Sequence, residues 1–260
     1  MNIGGNTVLV TGGNVGIGRA LAEALAARGD RVIVAGRRQA AIDEVVAANP
    51  GMAGLLLDVG DPASISAAAE RLEAEHPDLN VVIHNAGIMR AEDITADPYD
   101  LADAEETVAT NLLGPIRLTA ALLPQLKRNR PATIMTVSSG LGFVPLAYTP
   151  TYAATKAAIH SWSQSLRWQL RDHGVEVIEL VPPRVATDLM PGQREDPTSM
   201  PLDAFIAEVM ALLEADGNAP EVLVEQVRPF RTAERDGQYD AFYQRLNTGH
   251  RLARGSEERR

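Results

Sequence analysis

Ser139, Tyr152 and Lys156 stand close together in the sequence, in the segments TVSSG and YAATK. On a helix, Lys156 follows Tyr152 by one turn, so the two side chains share a face. An ammonium about 4 Å from a phenol favours its anion by about 4 kcal/mol at an effective dielectric of 20. The pKa of Tyr152, ordinarily about 10, would fall towards neutrality. The phenol could then exchange a proton with an oxygen held by Ser139. The alternative is an ordinary amphipathic surface helix.

The composition narrows the class of protein. The 260 residues include 24 basic and 34 acidic side chains, a net charge of −10, which argues against a binder of nucleic acid or anionic membranes. The absence of cysteine excludes disulfides, thiolate chemistry and cysteine metal sites. The N-terminus does not resemble a signal peptide, and no apolar run approaches the roughly 20 residues that cross a bilayer. We therefore expect a cytoplasmic protein.

Short runs rich in Val, Ile and Leu alternate with longer segments of helical period. We predict strands at 7–11, 31–36, 53–59, 80–87, 132–139 and 175–181. We predict helices near 16–28, 38–48, 62–76, 101–128 and 152–172. Such alternation is typical of a Rossmann-type α/β fold: a doubly wound parallel sheet with helices on both faces, here one domain over 1–260.

The pattern becomes less regular after residue 188. We predict a loop that leads to a helix at 202–215, and a possible last strand within 221–227. The segment 189–216 is expected to close over a substrate as a mobile lid. Residues 6–190 would form the cofactor-binding and catalytic core, and 255–260 a frayed tail.

Ligands of doubly wound sheets bind beyond the carboxyl ends of the strands. After the first predicted strand comes TGGNVGIGRA, in which Gly12, Gly16 and Gly18 permit a tight turn and a close approach of backbone to a pyrophosphate. The spacing differs from the usual G-x-G-x-x-G, and the alternative is a purely structural turn. Its place between the first strand and the first helix favours phosphate binding.

Two later strand ends extend this interpretation. Asp58 could accept a hydrogen bond from an adenine amino group, although it could instead cap the helix that starts near Pro62. Asn85, Ala86 and Gly87 offer a floor of small residues against which a cofactor could lie.

With these segments in view, the chain resembles the short-chain dehydrogenase/reductase family. The resemblance rests on TVLVTGGNVGIGRA, HNAG, TNLLG, TVSSG, YAATK and ELVPPRVATDL, in order over residues 6–190, and is closest to the branch of DltE-like oxidoreductases. It implies a Rossmann-type fold, a nicotinamide cofactor and a catalytic set of Asn111, Ser139, Tyr152 and Lys156. Pro183 stands where the family usually has glycine.

Hydride transfer to a carbonyl requires a proton for the developing alkoxide, which Tyr152 would supply. Asn111 would lie in a locally distorted helix and hold a water that relays protons to Lys156; alternatively it is an ordinary polar residue of that helix. The residues expected to bind the cofactor are Gly12, Asn14, Gly16, Ile17, Gly18, Arg37, Arg38, Asp58, Val59, Asn85, Ala86, Gly87, Tyr152, Lys156, Pro182, Val185 and Thr187.

The segment AGRR predicts that NADP(H) is preferred over NAD(H). Enzymes that use NAD place an acid at the end of the second strand, where this chain has Gly36. Arg37 could grip the additional phosphate, with Arg38 and Asn14 assisting. The preference could be moderate because Val15 occupies a position that is often basic. The alternative is that both arginines are simply solvated.

The substrate is expected to be a hydrophobic ketone, aldehyde or secondary alcohol. The predicted pocket walls are mainly apolar, and comprise Leu141, Phe143, Val144, Leu146, Met190 and Met200. A requirement for polyanionic substrates would instead implicate Arg90 or Arg184.

Histidines do not suggest other chemistry. His84 lies in a predicted buried strand and is expected to be a core residue, and neither it nor His160 belongs to a recognisable metal or Ser-His-acid site. We predict no metal. A homodimer or homotetramer is expected through the helices near 101–128 and 152–172, with Trp162, Leu166 and Trp168 at the contact or, alternatively, in the core. A non-catalytic dinucleotide sensor is the alternative function.

Overall fold

Seven parallel strands form one sheet in the computed structural model, which describes residues 3–248. The strands are β1 (Thr7–Thr11), β2 (Arg31–Gly36), β3 (Ala53–Leu56), β4 (Val81–His84), β5 (Ala132–Val137), β6 (Val175–Val181) and β7 (Glu221–Leu223). Their order across the sheet is β3-β2-β1-β4-β5-β6-β7. The order reverses between β1 and β4, and a ligand crevice is expected at this point.

Helices cover both faces of the sheet. They are α1 (Gly16–Ala26), α2 (Gln39–Ala48), α3 (Pro62–Glu75), α4 (Ala102–Val108), α5 (Gly114–Arg128), α6 (Pro150–Leu170), α7 (Leu202–Ala215), α8 (Arg228–Thr232) and α9 (Tyr239–Thr248). The predicted Rossmann-type fold class is thereby confirmed.

Two apolar layers hold the sheet between these helices. Val10 of β1 packs with Leu21 of α1 and Phe205 of α7 on one face, whereas Leu9 packs with Leu118 of α5 on the other. All five side chains are fully buried. Burying one such side chain stabilises the fold by about 1.5–3 kcal/mol. Because Leu9 and Val10 point to opposite faces, adjacent residues of β1 pack against the helices on both sides of the sheet.

Local signals set several helix ends where the sequence predicts them. The Asp61 carboxylate accepts a hydrogen bond from the Ala63 amide at 2.9 Å, and Pro62 begins α3. Gly29 and Gly174 have positive φ angles of 92° and 67° after α1 and α6. Asp58 is not the cap of α3; its carboxylate accepts from the Gly60 amide instead.

Other boundaries differ from the predictions. β3, β4 and β5 end at Leu56, His84 and Val137, two or three residues early, because the chain turns away at the edge where the polar and small residues lie. The predicted helix over 101–128 is three elements, with a π-helix at Ala109–Leu113 between α4 and α5. The predicted tail at 255–260 lies outside the described residues.

Across residues 3–248, every helix is too short or too polar to span a bilayer.

Candidate active site

Helix α6 carries Tyr152 and Lys156 into the interior at the carboxyl edge of the sheet. Both side chains are buried, at 6% and 5% exposure. The Lys156 ammonium donates a hydrogen bond to the Val137 carbonyl at 2.7 Å and lies 5.5 Å from the centroid of the Tyr152 ring. The two residues share a helix face, as their spacing predicts.

The electrostatics of this pair differ from the expectation. Burial raises the pKa of Tyr152 to about 12, and a hydrogen bond with Ser139 only partly opposes this effect. Burial likewise lowers the pKa of Lys156 to about 8, against the charge of Glu179. The pKa of Tyr152 thus moves in the direction opposite to the prediction, because desolvation outweighs the attraction of an ammonium that is directed at a carbonyl.

Ser139 follows the end of β5 and faces Tyr152. Its backbone is extended, and its Oγ accepts a hydrogen bond from the Leu141 amide at 3.2 Å within the short 3₁₀ turn Gly140–Gly142. The Gly140 amide also donates to the Pro182 carbonyl at 3.0 Å, which ties this turn to the end of β6.

Asn111 lies in the π-helix, so the predicted distortion of the helix is present. The Gly114 amide donates to the Ala109 carbonyl, five residues back. The Asn111 side chain accepts from the Ile88 amide at 2.9 Å, donates to the Ile88 carbonyl at 2.8 Å and reaches Thr155 Oγ1 at 3.3 Å. The Asn111 side chain therefore connects the segment after β4 to α6 by hydrogen bonds. An ordinary polar residue on a helix surface would not make these contacts.

The glycine-rich turn packs closely on the chain after β4. Gly12 has a φ of +65°, and a Cβ there would come within 3.0 Å of Ala86 Cα. The Thr11 hydroxyl accepts from the amides of Asn85 and Ala86, both at 3.0 Å. The Asn85 amide group donates to the Thr11 carbonyl at 3.0 Å, so Asn85 fixes this turn.

A groove runs over this turn towards Tyr152. Its central part has a volume of about 530 Å³ and is lined by Gly12, Gly16, Ile17, Arg37, Arg38, Asn85, Ala86, Gly87, Ser139, Tyr152, Lys156, Pro182, Val185 and Thr187, among others. An adjoining cavity of about 260 Å³ includes Asn14, Asp58 and Val59. Two predicted residues line neither the groove nor this adjoining cavity: Gly18 packs under the turn, and the Asn111 side chain bonds to the Ile88 backbone.

Arg37 is already paired at the far end of the groove. Its guanidinium lies 3.2 Å from a carboxylate oxygen of Glu106 on α4. Glu106 also lies 3.7 Å from Arg90, so the two arginines share one acid across the groove. No local sequence pattern points to Glu106, because 69 residues separate it from Arg37.

An apolar cavity of about 410 Å³ adjoins the groove at Ser139 and Tyr152. Leu141, Leu146 and Met190 line it as predicted. Phe143, Val144 and Met200 do not: Phe143 packs edge-on against His160, Val144 is fully buried, and the Met200 backbone pairs with Val185. Tyr148 and Gln193, from the predicted wall segments 140–148 and 189–202, also line it, and Met89, Phe230 and Leu246 complete the walls without a signal in the sequence.

Part of the predicted lid is tied to the end of β6. The buried Gln193 amide donates to the Val185 carbonyl at 2.8 Å and reaches Thr187 Oγ1 at 3.3 Å. Arg184 at the cavity wall pairs with Asp196 at 2.9 Å. Closure of 189–216 over a substrate stays a prediction.

The histidines have structural partners. His84 is buried, lies 2.8 Å from Thr119 Oγ1, and has a pKa lowered to about 3 by burial, so the expected core role is confirmed. His160 belongs to a group that the sequence did not reveal, in which it, Glu179 and Glu221 present ligand atoms within 4.8 Å of one another. His160 and Glu179 bond to each other, and Arg231 pairs with Glu221. The prediction of no metal stays a prediction.

This sheet order, with a glycine-rich turn at its reversal point and a buried tyrosine and lysine beside the groove, defines a Rossmann-type protein of the nucleotide-binding class. Residues 6–198 match the family model of short chain dehydrogenases. The chain therefore belongs to the short-chain dehydrogenase family of oxidoreductases, as the resemblance predicts.

Relatives match most of the chain. It is 38% identical over 251 residues, 95% of its length and 99% of the relative's, to the "Uncharacterized oxidoreductase DltE" of Bacillus subtilis. It is 34% identical over 199 residues to the 3-oxoacyl-[acyl-carrier-protein] reductase FabG of Escherichia coli, covering 75% and 80% of the two chains. A short chain dehydrogenase of Burkholderia cenocepacia, solved in complex with NADP, superposes with a TM-score of 0.79 at 27% identity, covering 95% and 99% of the chains.

Proposed function

We propose that this protein is an NADP(H)-dependent oxidoreductase that interconverts a hydrophobic carbonyl compound and its alcohol. The observation that carries the proposal is the position of Tyr152 and Ser139, which line both the groove over the glycine-rich turn and the apolar cavity. A hydroxyl at this junction is placed to serve a reaction between a molecule in the groove and one in the cavity.

The groove suits a dinucleotide. At Gly12 the backbone lies so close to Ala86 that a side chain would not fit. The N-terminus of α1, with its partial positive charge, follows the turn and can face the phosphates. Lys156, Val185 and Thr187 line the other end, where a nicotinamide and its ribose would be held. The nicotinamide supplies or accepts the hydride when bound.

Tyr152 is the proposed general acid and base. With a pKa of about 12, its phenol stays protonated at neutral pH and can donate a proton to an oxygen that Ser139 holds. Lys156 lies close enough to stabilise the phenolate that remains. In the reverse direction the phenolate would take the proton from an alcohol.

Gly36 and Arg37 support a preference for NADP(H) over NAD(H). Gly36 offers no carboxylate to two ribose hydroxyls, whereas Arg37 and Arg38 both line the groove there. The structural relative solved with NADP has the same overall fold. The 2′-phosphate of a bound NADP(H) would replace the Glu106 carboxylate as the partner of the Arg37 guanidinium.

The cavity favours a substrate with a hydrophobic body. Leu141, Leu146, Met190, Phe230 and Leu246 bring apolar side chains from five separate segments to its walls. We propose ketones, aldehydes and secondary alcohols of this character as substrates.

The deciding experiment is a turnover screen of hydrophobic and polyanionic carbonyl compounds with NADPH and with NADH. The proposal expects NADPH oxidation with the hydrophobic compounds and its loss in Tyr152→Phe. Reduction of polyanionic compounds alone would contradict the proposed substrate class. Binding of NADPH without turnover across the screen would instead favour the alternative, a dinucleotide sensor.

A further inference from the structure

Glu179 is a completely buried carboxylate on β6, the strand next to the edge strand β7. Ser138 Oγ donates a hydrogen bond to one of its oxygens at 2.5 Å, and His160 Nδ1 donates to the other at 2.8 Å. A buried charge is costly unless it is paired and hydrogen-bonded, and both oxygens meet this condition.

The partners of Glu179 are neighbours of the proposed catalytic residues. Ser138 directly precedes Ser139, and the carbonyl of Val137 before it accepts the Lys156 hydrogen bond. His160 follows Lys156 by one turn of α6. Glu179 therefore links three elements, β5, β6 and α6, at the place where they present Ser139 and Lys156.

The charged side chains near the Glu179 carboxylate have partners of their own. Glu221, its partner in the β6–β7 register, pairs with Arg231 on α8 at 2.7 Å. Arg167 of α6 donates to the carbonyls of Val177 and Pro220. The negative charge of Glu179 opposes the effect of burial on Lys156, so it favours the ammonium form.

We propose that Glu179 is a positioning residue of the active site, whose carboxylate acts through Ser138 and His160 to hold Ser139 and Lys156. The inference rests on the proposed function of those two residues. Through its own negative charge, Glu179 also favours the ammonium form of Lys156.

The chain contains only two lysines, Lys127 and Lys156, which makes a direct test possible. In protein labelled with [ε-¹³C]lysine, each lysine gives one NMR signal, and Lys127→Arg identifies the exposed one. Glu179→Gln, which keeps the shape but removes the charge, should move the titration of Lys156 to lower pH. Glu221→Gln is the matched control, because it removes a charge from the same cluster without touching Ser138, and should shift Lys156 less.

Kinetics test the positioning role. Loss of a charge-assisted hydrogen bond in Glu179→Gln should lower kcat about 10-fold or more, with little change in the KM for NADPH. The alkaline limb of the pH profile of kcat/KM for NADPH, which reports on the free enzyme, should move to lower pH. Glu179→Asp, which keeps the charge but shortens the reach, should lower kcat while Lys156 titrates close to the wild-type position.

Some outcomes would overturn the inference. A folded Glu179→Gln protein in which Lys156 titrates as in wild type, or in which kcat matches Glu221→Gln, would do so. If Glu179→Gln does not fold, Ser138→Ala decides, because it breaks only the bond towards Ser139; an unchanged kcat would refute positioning. Absence of turnover in the wild type would defeat the proposed function, whereas the NMR titration would still test the link between Glu179 and Lys156.

Discussion

The side-chain oxygen of Asn14 lies 2.5 Å from the point that a Cβ on Gly36 would occupy. Asn14 is 7% exposed, so it fills the space in which NAD-using enzymes place an acid. Gly36→Asp alone would collide with Asn14, and a useful exchange of cofactor preference requires Asn14→Ala beside it. The sequence alone shows that Gly36 stands where an acid would be, but it does not show that the Asn14 side chain occupies the space of that acid.

The first prediction concerns Arg37. Arg37→Gln should lower kcat/KM for NADPH about 10- to 100-fold, because charged hydrogen bonds to a phosphate are worth about 1.5–3 kcal/mol. The value for NADH in the same variant is the internal control and should hardly change. Adding Gly36→Asp and Asn14→Ala should then favour NADH. Wild-type protein that uses NADH as well as NADPH would show the interpretation of this loop to be wrong.

A second prediction follows from the pairing of Arg37 with Glu106. Glu106→Gln should lower the KM for NADPH about 1.4- to fivefold, the range expected for releasing an exposed ion pair worth about 0.2–1 kcal/mol. Glu105→Gln is the control, since it makes the same charge change on α4 at an exposed neighbour. A weaker affinity in Glu106→Gln would mean that Glu106 supports the cofactor rather than competing with it.

The third prediction tests the proton donor. Tyr152→Phe keeps the buried ring but removes its hydroxyl, so kcat should fall about 10²- to 10⁴-fold, the usual contribution of general acid–base catalysis. Affinity for NADPH, measured by fluorescence titration, should barely change. Turnover retained in this variant would exclude Tyr152 from the proton transfer.

Features encoded within one segment could be predicted from the sequence. The apolar runs predict six strands. Local sequence patterns also mark the ends of strands and helices, and the glycines, Asn85 and Tyr152 lie at such ends. The structure brings nearly all of the predicted cofactor residues to the groove and its adjoining cavity because the parallel strands end at one edge of the sheet.

Features that depend on contacts between distant segments could not be predicted from the sequence. Phe230 and Leu246 reach the cavity from α8 and the last described helix, α9, where the family motifs have ended. Asn247 holds that helix in place by accepting from the Ala147 amide at 2.6 Å and donating to the Pro145 carbonyl at 3.1 Å. Likewise, the spacing of Tyr152 and Lys156 predicts their shared face but not their burial, which controls both pKa values.

A fourth prediction concerns assembly. Leu166 is core and Trp162 packs against the same layer, whereas Trp168 is 70% exposed and stacks with Arg171 at 4.2 Å. We propose that α6 contributes to a homodimer or homotetramer through Trp168. Trp168→Glu should lower the mass measured by light scattering at micromolar concentration, whereas Gln169→Glu, which adds the same charge alongside, should not. A wild-type monomer would refute the assembly, and an unchanged mass in Trp168→Glu would remove Trp168 from the contact.

The last prediction concerns His84 and acid stability. Its pKa is about 3 in the folded protein against 6.5 for an ordinary histidine, so below pH 6.5 the unfolded chain binds a proton that the folded chain does not. Stability is therefore lost as the pH falls from 6.5 towards 3, by up to about 1.4 kcal/mol per pH unit from this residue. His84→Gln, which can still bond to Thr119, should show a shallower loss in urea unfolding between pH 7 and 5. His173→Gln is the control, because His173 is exposed. An equal slope in wild type and His84→Gln would show that His84 does not govern this part of the pH dependence.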